Sequence, residues 1–414
     1  MTTVCRPGFS GAARQGPGRL ARPGSFAAAP HAPQAPQADK EAIRAHLAFL
    51  ADDLLEGRAT GTRGFDIAAN YVASQFAQFH LVPKGDKGGY LQGFALRSTT
   101  QVPASALVEI ASASGVVQMS ATEDFFLALD GGAAPLSAQR PLLFVGYGIQ
   151  TTMRIAHRSE SADIASSNVV GMIEGSDPLL KNEYVVFTAH LDHLGQSKEK
   201  IGDNIYNGAM DNASGVATLI ETARMFSQSA LKPRRSILFI ALTGEEKGLV
   251  GSGYFAANPS VPVGAIVADI NLDMPLLTFD FKNVMAFGSE HSSLKGNAER
   301  ALKALGLGLI PDPWPAKLFF VRSDHYNFVR QGIPSIFLAT GMASFNKDED
   351  AAKLWDEFLE KRYHQPSDDL SQPINYAAAA RFATVNYNIG RDIADTPARP
   401  TWNKGDFFGD TFRK

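Results

Sequence analysis

A single cysteine, Cys5, stands in 414 residues, so no internal disulfide can form. Packing, hydrogen bonds and any bound metal must hold the fold. One spare thiol fits an oxidising compartment as readily as a reducing one. A basic excess is also missing. Lys and Arg number 39 against 42 Asp and Glu, a formal net charge of −3, with no footprint for nucleic acid or an anionic membrane. No stretch approaches the roughly 20 apolar residues of a membrane span, and no internal repeat is visible. Residues 1–38 lack any acid, and their longest small-apolar run is Phe26 to Ala29, far short of a signal-peptide core. Rich in Ala, Pro, Gly and Arg, they read as a disordered leader, with a divergent export signal as the alternative.

What is present is an ordinary globular composition, 45% hydrophobic and 20% charged. The length suits one large domain with a smaller attachment, and nothing specifies an oligomeric state. Ile43, Leu47, Leu50 and Leu54 recur at helical spacing as far as Gly57. Phe65, Ala68, Val72, Phe76 and Phe79 mark a second helix. From 95 to 165 helical periodicity fades and Val, Ser, Thr and Ala dominate, which predicts a small β-rich insert. Beyond it, strands expected at 168–173, 185–189, 237–242, 265–272 and 333–338 alternate with helical stretches, one of them striped by Val216, Leu219, Ile220, Ala223 and Phe226. That alternation predicts an α/β three-layer sandwich with a mixed, mainly parallel central sheet. The expected organisation is a leader at 1–38, the start of the main domain at 39–94, the insert at 95–165 and the main domain at 166–414. Trp402, Phe407, Phe408 and Phe412 are expected to pin the tail to the body.

Five segments carry acids and imidazoles: His190-Leu191-Asp192, Asp211 within Gly208 to Gly215, Glu245-Glu246, Asp273 after Asn271-Leu272, and Tyr363-His364. Open α/β sheets place their sites beyond the carboxyl ends of strands. His190, Glu245, Glu246 and Asp273 fall at or just after such ends. Zinc takes imidazole nitrogen and carboxylate oxygen, and two metals about 3.5–4 Å apart need a ligand that touches both. Asp211, on a glycine-flanked loop, suits that bridge. His190 and Asp273 would complete one metal, Glu246 and His364 the other. Asp192 is expected to accept the far ring N–H of His190. Adjacent glutamates point in different directions, so one ligates and the other is free to act as general base. Taken singly, a strand-end histidine or a Glu-Glu pair is an ordinary polar residue. Asp273 is a stronger signal, because an unpaired buried carboxylate is costly. His193 reads as a structural or supporting neighbour.

The segments Ala189-His190-Leu191-Asp192-His193, Asn207 to Gly215, Thr243 to Ser252, Asn271 to Met274 and Tyr363-His364 resemble metallopeptidase family twenty-eight. These are two-zinc aminopeptidases related to glutamate carboxypeptidase and glutaminyl cyclase. The likeness runs from about Lys40 to near the C-terminus and includes Val145-Gly146-Tyr147-Gly148. It implies that His190 and Asp273 bind one zinc, Glu246 and His364 the other, and that Asp211 bridges them. It also implies that Asp192 supports His190 and that Glu245 is the base. Ser323-Asp324-His325 resembles a segment near the family's site, which puts Asp324 and His325 forward as substrate-binding residues. Two departures stand out. Met210 occupies a position usually held by an acid or another small polar residue, so a looser surround for an intact ligand set is expected. The insert resembles a shortened protease-associated lobe. The implied activity is zinc-dependent removal of N-terminal residues from peptides with a free N-terminus, in a periplasmic or extracellular setting. A one-zinc glutaminyl cyclase-like acyltransferase, a carboxypeptidase and a non-catalytic binding ectodomain are the alternatives.

Overall fold

The computed structural model describes residues 36–102, 106–119, 136–144, 149–197 and 201–412. The leader, except for its last three residues, lies outside them, as does Val145-Gly146-Tyr147-Gly148. The chain opens with α1 (Lys40–Leu50) and α2 (Arg63–Gln78), then β1 (Val82–Pro83), β2 (Leu91–Gln101), β3 (Leu107–Ser112), β4 (Gly115–Met119), β5 (Leu136–Phe144), β6 (Ile149–His157) and β7 (Ser159–Ile173). Next come β8 (Tyr184–His190), the short β9 (Gly195–Gln196) and β10 (Ile205–Tyr206), α3 (Ser214–Gln228), β11 (Ser236–Leu242), α4 (Val250–Ala257) and β12 (Ile266–Leu272). The remainder holds β13 (Asn283–Phe287), α5 (Leu294–Ala304), β14 (Gly308–Ile310), α6 (His325–Val329), β15 (Ser335–Thr340), α7 (Ala351–Lys361), α8 (Tyr376–Asp395) and α9 (Phe407–Phe412).

β11, β8, β12 and β15 lie side by side and parallel at the centre of the large sheet. β7 joins β11 and β13 joins β15 antiparallel, and β14 extends the far edge parallel to β13. The sheet is mixed around a parallel centre, as the alternation predicts. Every residue of β11 is buried, because a central parallel strand is covered on both faces. Side chains alternate between the two faces. Val185, Phe187 and Ala189 join Ile237, Phe239 and Ala241 in a large core with residues of α1, α3 and α8. Val186 joins Leu238, Ile240 and Leu242 in a smaller core capped by Phe255 of α4 and Phe328 of α6. A sheet with a core on each face makes three layers.

Phe187 is fully buried and stacks on Phe239 at 5.3 Å between ring centroids. Phe187→Ala is expected to lower stability by about 3–5 kcal/mol, read as a reduced urea midpoint at unchanged m-value.

The first helix ends at Leu50 rather than near Gly57, and Leu54 is 84% exposed. The Asp52 side chain accepts the Leu54 N–H and starts a tight turn, Asp53–Arg58, that takes the chain off the helical path. The insert edges at 95 and 165 fall inside continuous strands: Ala95 pairs with Ala165 within a β2–β7 ribbon running from Leu91↔Val169 to Gln101↔Ser159. Beyond the ribbon, an antiparallel sheet in the order β4-β3-β6-β5 forms the insert. The tail docks through Trp402, whose Nε1 donates to the Gly332 carbonyl at 2.8 Å, and through Phe408 and Phe412. Phe407 is exposed instead. Among the described residues, no helix is long and apolar enough to cross a membrane.

Candidate metal centre

His190 ends β8, and Asp273 follows the last residue of β12. These neighbouring strands bring His190 Nε2 to 3.1 Å from Asp273 Oδ1. Asp211 enters from a wide turn at Ala209–Ala213 that leads into α3, with a cis peptide between Asp211 and Asn212. Gly208 starts that turn at φ +56°, and a Cβ there would stand 2.1 Å from the Asp211 carbonyl oxygen, so only glycine fits. Asp211 Oδ1 lies 3.2 Å from His190 Nε2, and its Oδ2 lies 3.3 Å from His364 Nε2. His364 comes from the turn after α7 and stacks on the Tyr363 ring at 3.9 Å.

Glu245 and Glu246 follow β11 and diverge. Glu246 meets two imidazoles, one per oxygen: His193 Nδ1 at 2.8 Å from Oε1 and His364 Nε2 at 3.3 Å from Oε2. Glu245 faces a cavity beside Asp211, Asp273 and His364, with Met274, Phe319 and Phe337 as its apolar wall. The five expected ligands therefore cluster around Asp211, and Asp211, Asp273 and His364 line the cavity together with Glu245.

Neighbouring charges in this pocket act directly on one another. Burial disfavours a charged His190, but Asp273 and Glu245 outweigh it and raise the imidazole well above its ordinary value. His364 likewise overcomes burial through Asp211 and Glu246 and rises to about 10. Burial opposes ionisation of Asp211, yet its contacts with His190 and His364 hold it below the usual carboxylate range. Glu246 falls to about 2, because His193 and His364 outweigh burial and the Asp211 charge. Glu245 has no such partner, and burial pushes its carboxyl well up.

The donor set fits divalent cations. Ligand atoms of His190, Asp211 and Asp273 lie within 4.8 Å of one another, as do those of His193, Asp211 and Glu246. Asp211 Oδ2 and His193 Nε2 are buried without a hydrogen bond. Nitrogen and carboxylate donors in this mixture suit zinc.

Several neighbours differ from expectation. His190 Nδ1 meets the main-chain carbonyl of Asp192 at 3.1 Å, not its carboxylate. That carboxylate instead accepts the Thr60 hydroxyl at 2.8 Å and the Glu245 N–H at 3.2 Å. Asp324 and His325 are fully buried, and Ser323 lines the cavity in their place. His325 Nε2 donates to the Phe320 carbonyl at 2.7 Å, and burial lowers its imidazole to about 3. The surround of Met210 is tight: its side chain is buried, and Asp368 Oδ1 accepts its N–H at 3.0 Å while Asp368 Oδ2 accepts that of Asp211 at 3.0 Å. Asp368, in a polar Ser-Asp-Asp run, gave no sequence signal. The direct His193–Glu246 bond was signalled only by its place in the His190 segment.

Residues 168–389 match the model of peptidase family M28, just over half of the chain. A probable zinc metalloprotease of Pyrenophora teres f. teres is 30% identical over 251 residues, 57% of this chain and 50% of that protein. Leupeptin-inactivating enzyme 1 of Streptomyces exfoliatus is 27% identical over 262 residues, 58% of this chain and 51% of that one. The chain thus spans about half the length of the curated relatives it matches. Among solved structures, an aminopeptidase from Aneurinibacillus sp. strain AM-1 superposes with a TM-score of 0.59 at 16% identity, covering 88% of this chain and 95% of that one. That likeness concerns the fold. The family model spans the segments that supply His190, Asp211, Glu246, Asp273 and His364, and on that match the chain belongs to peptidase family M28.

Proposed function

We propose that this chain is a zinc-dependent aminopeptidase with two metals per active site, His190, Asp273 and Asp211 holding one and Glu246, His364 and Asp211 the other. The observation that carries this reading is Asp211, which offers one oxygen toward His190 and the other toward His364. Residues 39–94 and 166–414 form the catalytic body, and 95–165 are an attached lobe. Zinc held there supplies Lewis acidity and lowers the pKa of a water toward about 7. Glu245 is the general base: it lines the cavity, binds no imidazole and has a raised carboxyl able to hold a proton in transit. It takes a proton from the attacking water and returns it to the leaving amine. Asp192 holds the Glu245 main chain through the N–H. Tyr363 presents a phenol whose acidity is suppressed by burial and by the nearby carboxylates, so it stays a neutral donor at the cavity. Met274, Phe319 and Phe337 give the substrate side chain an apolar wall.

The test is metal analysis combined with hydrolysis of aminoacyl-4-nitroanilides. Two zinc ions per chain, activity lost on chelation and activity restored by zinc are expected. One ion per chain with cyclisation of N-terminal glutamine would overturn the reading, as would inactivity across an aminoacyl panel with zinc present.

A further inference from the structure

The chemistry above leaves unused a guanidinium that sits between the two ligand-bearing turns. Arg58 is 1% exposed. Its Nε donates to the Leu191 carbonyl at 3.0 Å, Nη1 to those of Asn207 at 2.6 Å and Leu50, and Nη2 to that of Gly208 at 3.2 Å. Leu191 directly follows His190, and Gly208 opens the turn that carries Asp211. The Arg58 carbonyl accepts the His193 N–H at 3.3 Å. Two residues on, the Thr60 hydroxyl holds the Asp192 carboxylate. Residues 58–60 therefore fasten the chain on both sides of the centre.

The local backbone is bent to allow this. Glu56, Gly57 and Arg58 take φ values of +51°, +69° and +50°, an unfavourable left-handed run for Glu and Arg. Such a run persists only where its surroundings fix it. A Cβ on Gly57 would stand 2.5 Å from the carbonyl oxygens of Gly195 and Tyr206, so the bend packs directly against β9 and β10. Among the described residues no carboxylate pairs with Arg58 within 4.0 Å, and its guanidinium is spent on carbonyls. Burial lowers it to about 10, so it remains charged at neutral pH, within reach of the fields of Asp192, Asp368, Asp211 and Glu246. The whole segment precedes residues 168–389, the region that the family model covers.

We propose that Arg58 is a positioning residue whose guanidinium, bonded to Leu191, Asn207 and Gly208, sets the spacing between the His190 and Asp211 turns that cation binding requires. This rests on reading those two residues as metal ligands. A plain structural staple would lower global stability and leave the centre as it was. A positioning residue acts on the centre itself.

Full-length Arg58→Met, Arg58→Lys and Thr60→Val proteins, stripped of metal, are titrated with zinc against a competing chelator. Amide hydrogen exchange is followed at Leu191 to His193 and at Gly208 to Asp211. Arg58→Met is expected to weaken zinc at least tenfold and to speed exchange at those amides, with β11 and β12 unchanged. Arg58→Lys recovers part of the loss, and Thr60→Val moves both readouts less in the same direction. Wild-type zinc affinity and wild-type exchange in a folded Arg58→Met protein would overturn the proposal. If Arg58→Met does not fold, the same result in Thr60→Val overturns it. If the wild-type chain binds no zinc, the metal-ligand reading fails by itself, and exchange at Leu191 to His193 still decides whether Arg58 orders the turns.

Discussion

Glu245→Gln is expected to lower kcat for aminoacyl-4-nitroanilides about 10²–10⁴-fold while zinc content stays at the wild-type level. The substitution keeps the shape of the side chain and removes its capacity to take a proton. Its neighbour supplies the contrast. Glu246 is held by His193 and His364, whereas no imidazole bonds Glu245. The Glu245 N–H bond to Asp192 belongs to the main chain, so a glutamine at 245 stays in place. Metal content by elemental analysis and turnover by absorbance separate the two effects. Turnover within a factor of about three of wild type would remove Glu245 from the role of base.

Asp211→Ala is expected to cost the chain at least one of the two proposed zinc ions and to reduce hydrolysis by about a thousandfold or more, since several kcal/mol of electrostatic stabilisation is lost and each 1.36 kcal/mol is a tenfold change in rate. Any other single ligand substitution touches one cluster; this one touches both. A proton readout accompanies the metal count. In the metal-free chain His364 is raised to about 10 and is charged at pH 7, so zinc must displace its proton. Wild-type zinc binding in weak buffer should therefore release protons, and the apparent affinity should rise with pH through neutrality. The variant should release fewer. Full zinc content in Asp211→Ala, measured after dialysis, would show that the two clusters do not depend on a shared carboxylate.

The sequence carried much of this in advance, for a physical reason. β8, β11 and β12 are buried central strands, and His190, Thr243 and Asp273 stand at or just past their carboxyl ends. A polar residue at such a boundary sits at the rim of a sheet, so the candidate ligands were legible from their place at strand ends. Asp211 was legible through the glycines around it. The supports were not. Asp368 acts through bonds to main-chain N–H groups, and Arg58 through main-chain carbonyls, neither of which leaves a trace in residue type. Leu54 misled because helical spacing continued past the point where Asp52 diverted the chain. The edges of the insert leave little mark in the sequence, because β2 and β7 keep one strand pattern on both sides of 95 and 165.

That uninterrupted β2–β7 pairing has an evolutionary corollary. The lobe leaves and rejoins the body through two strands already hydrogen-bonded to each other, Leu91↔Val169 outward to Gln101↔Ser159. Residues can thus be gained or lost at its distal end without shifting any strand partner in the large sheet. A change in length of the appendage therefore leaves the strand ends that carry His190, Glu245 and Asp273 where they are.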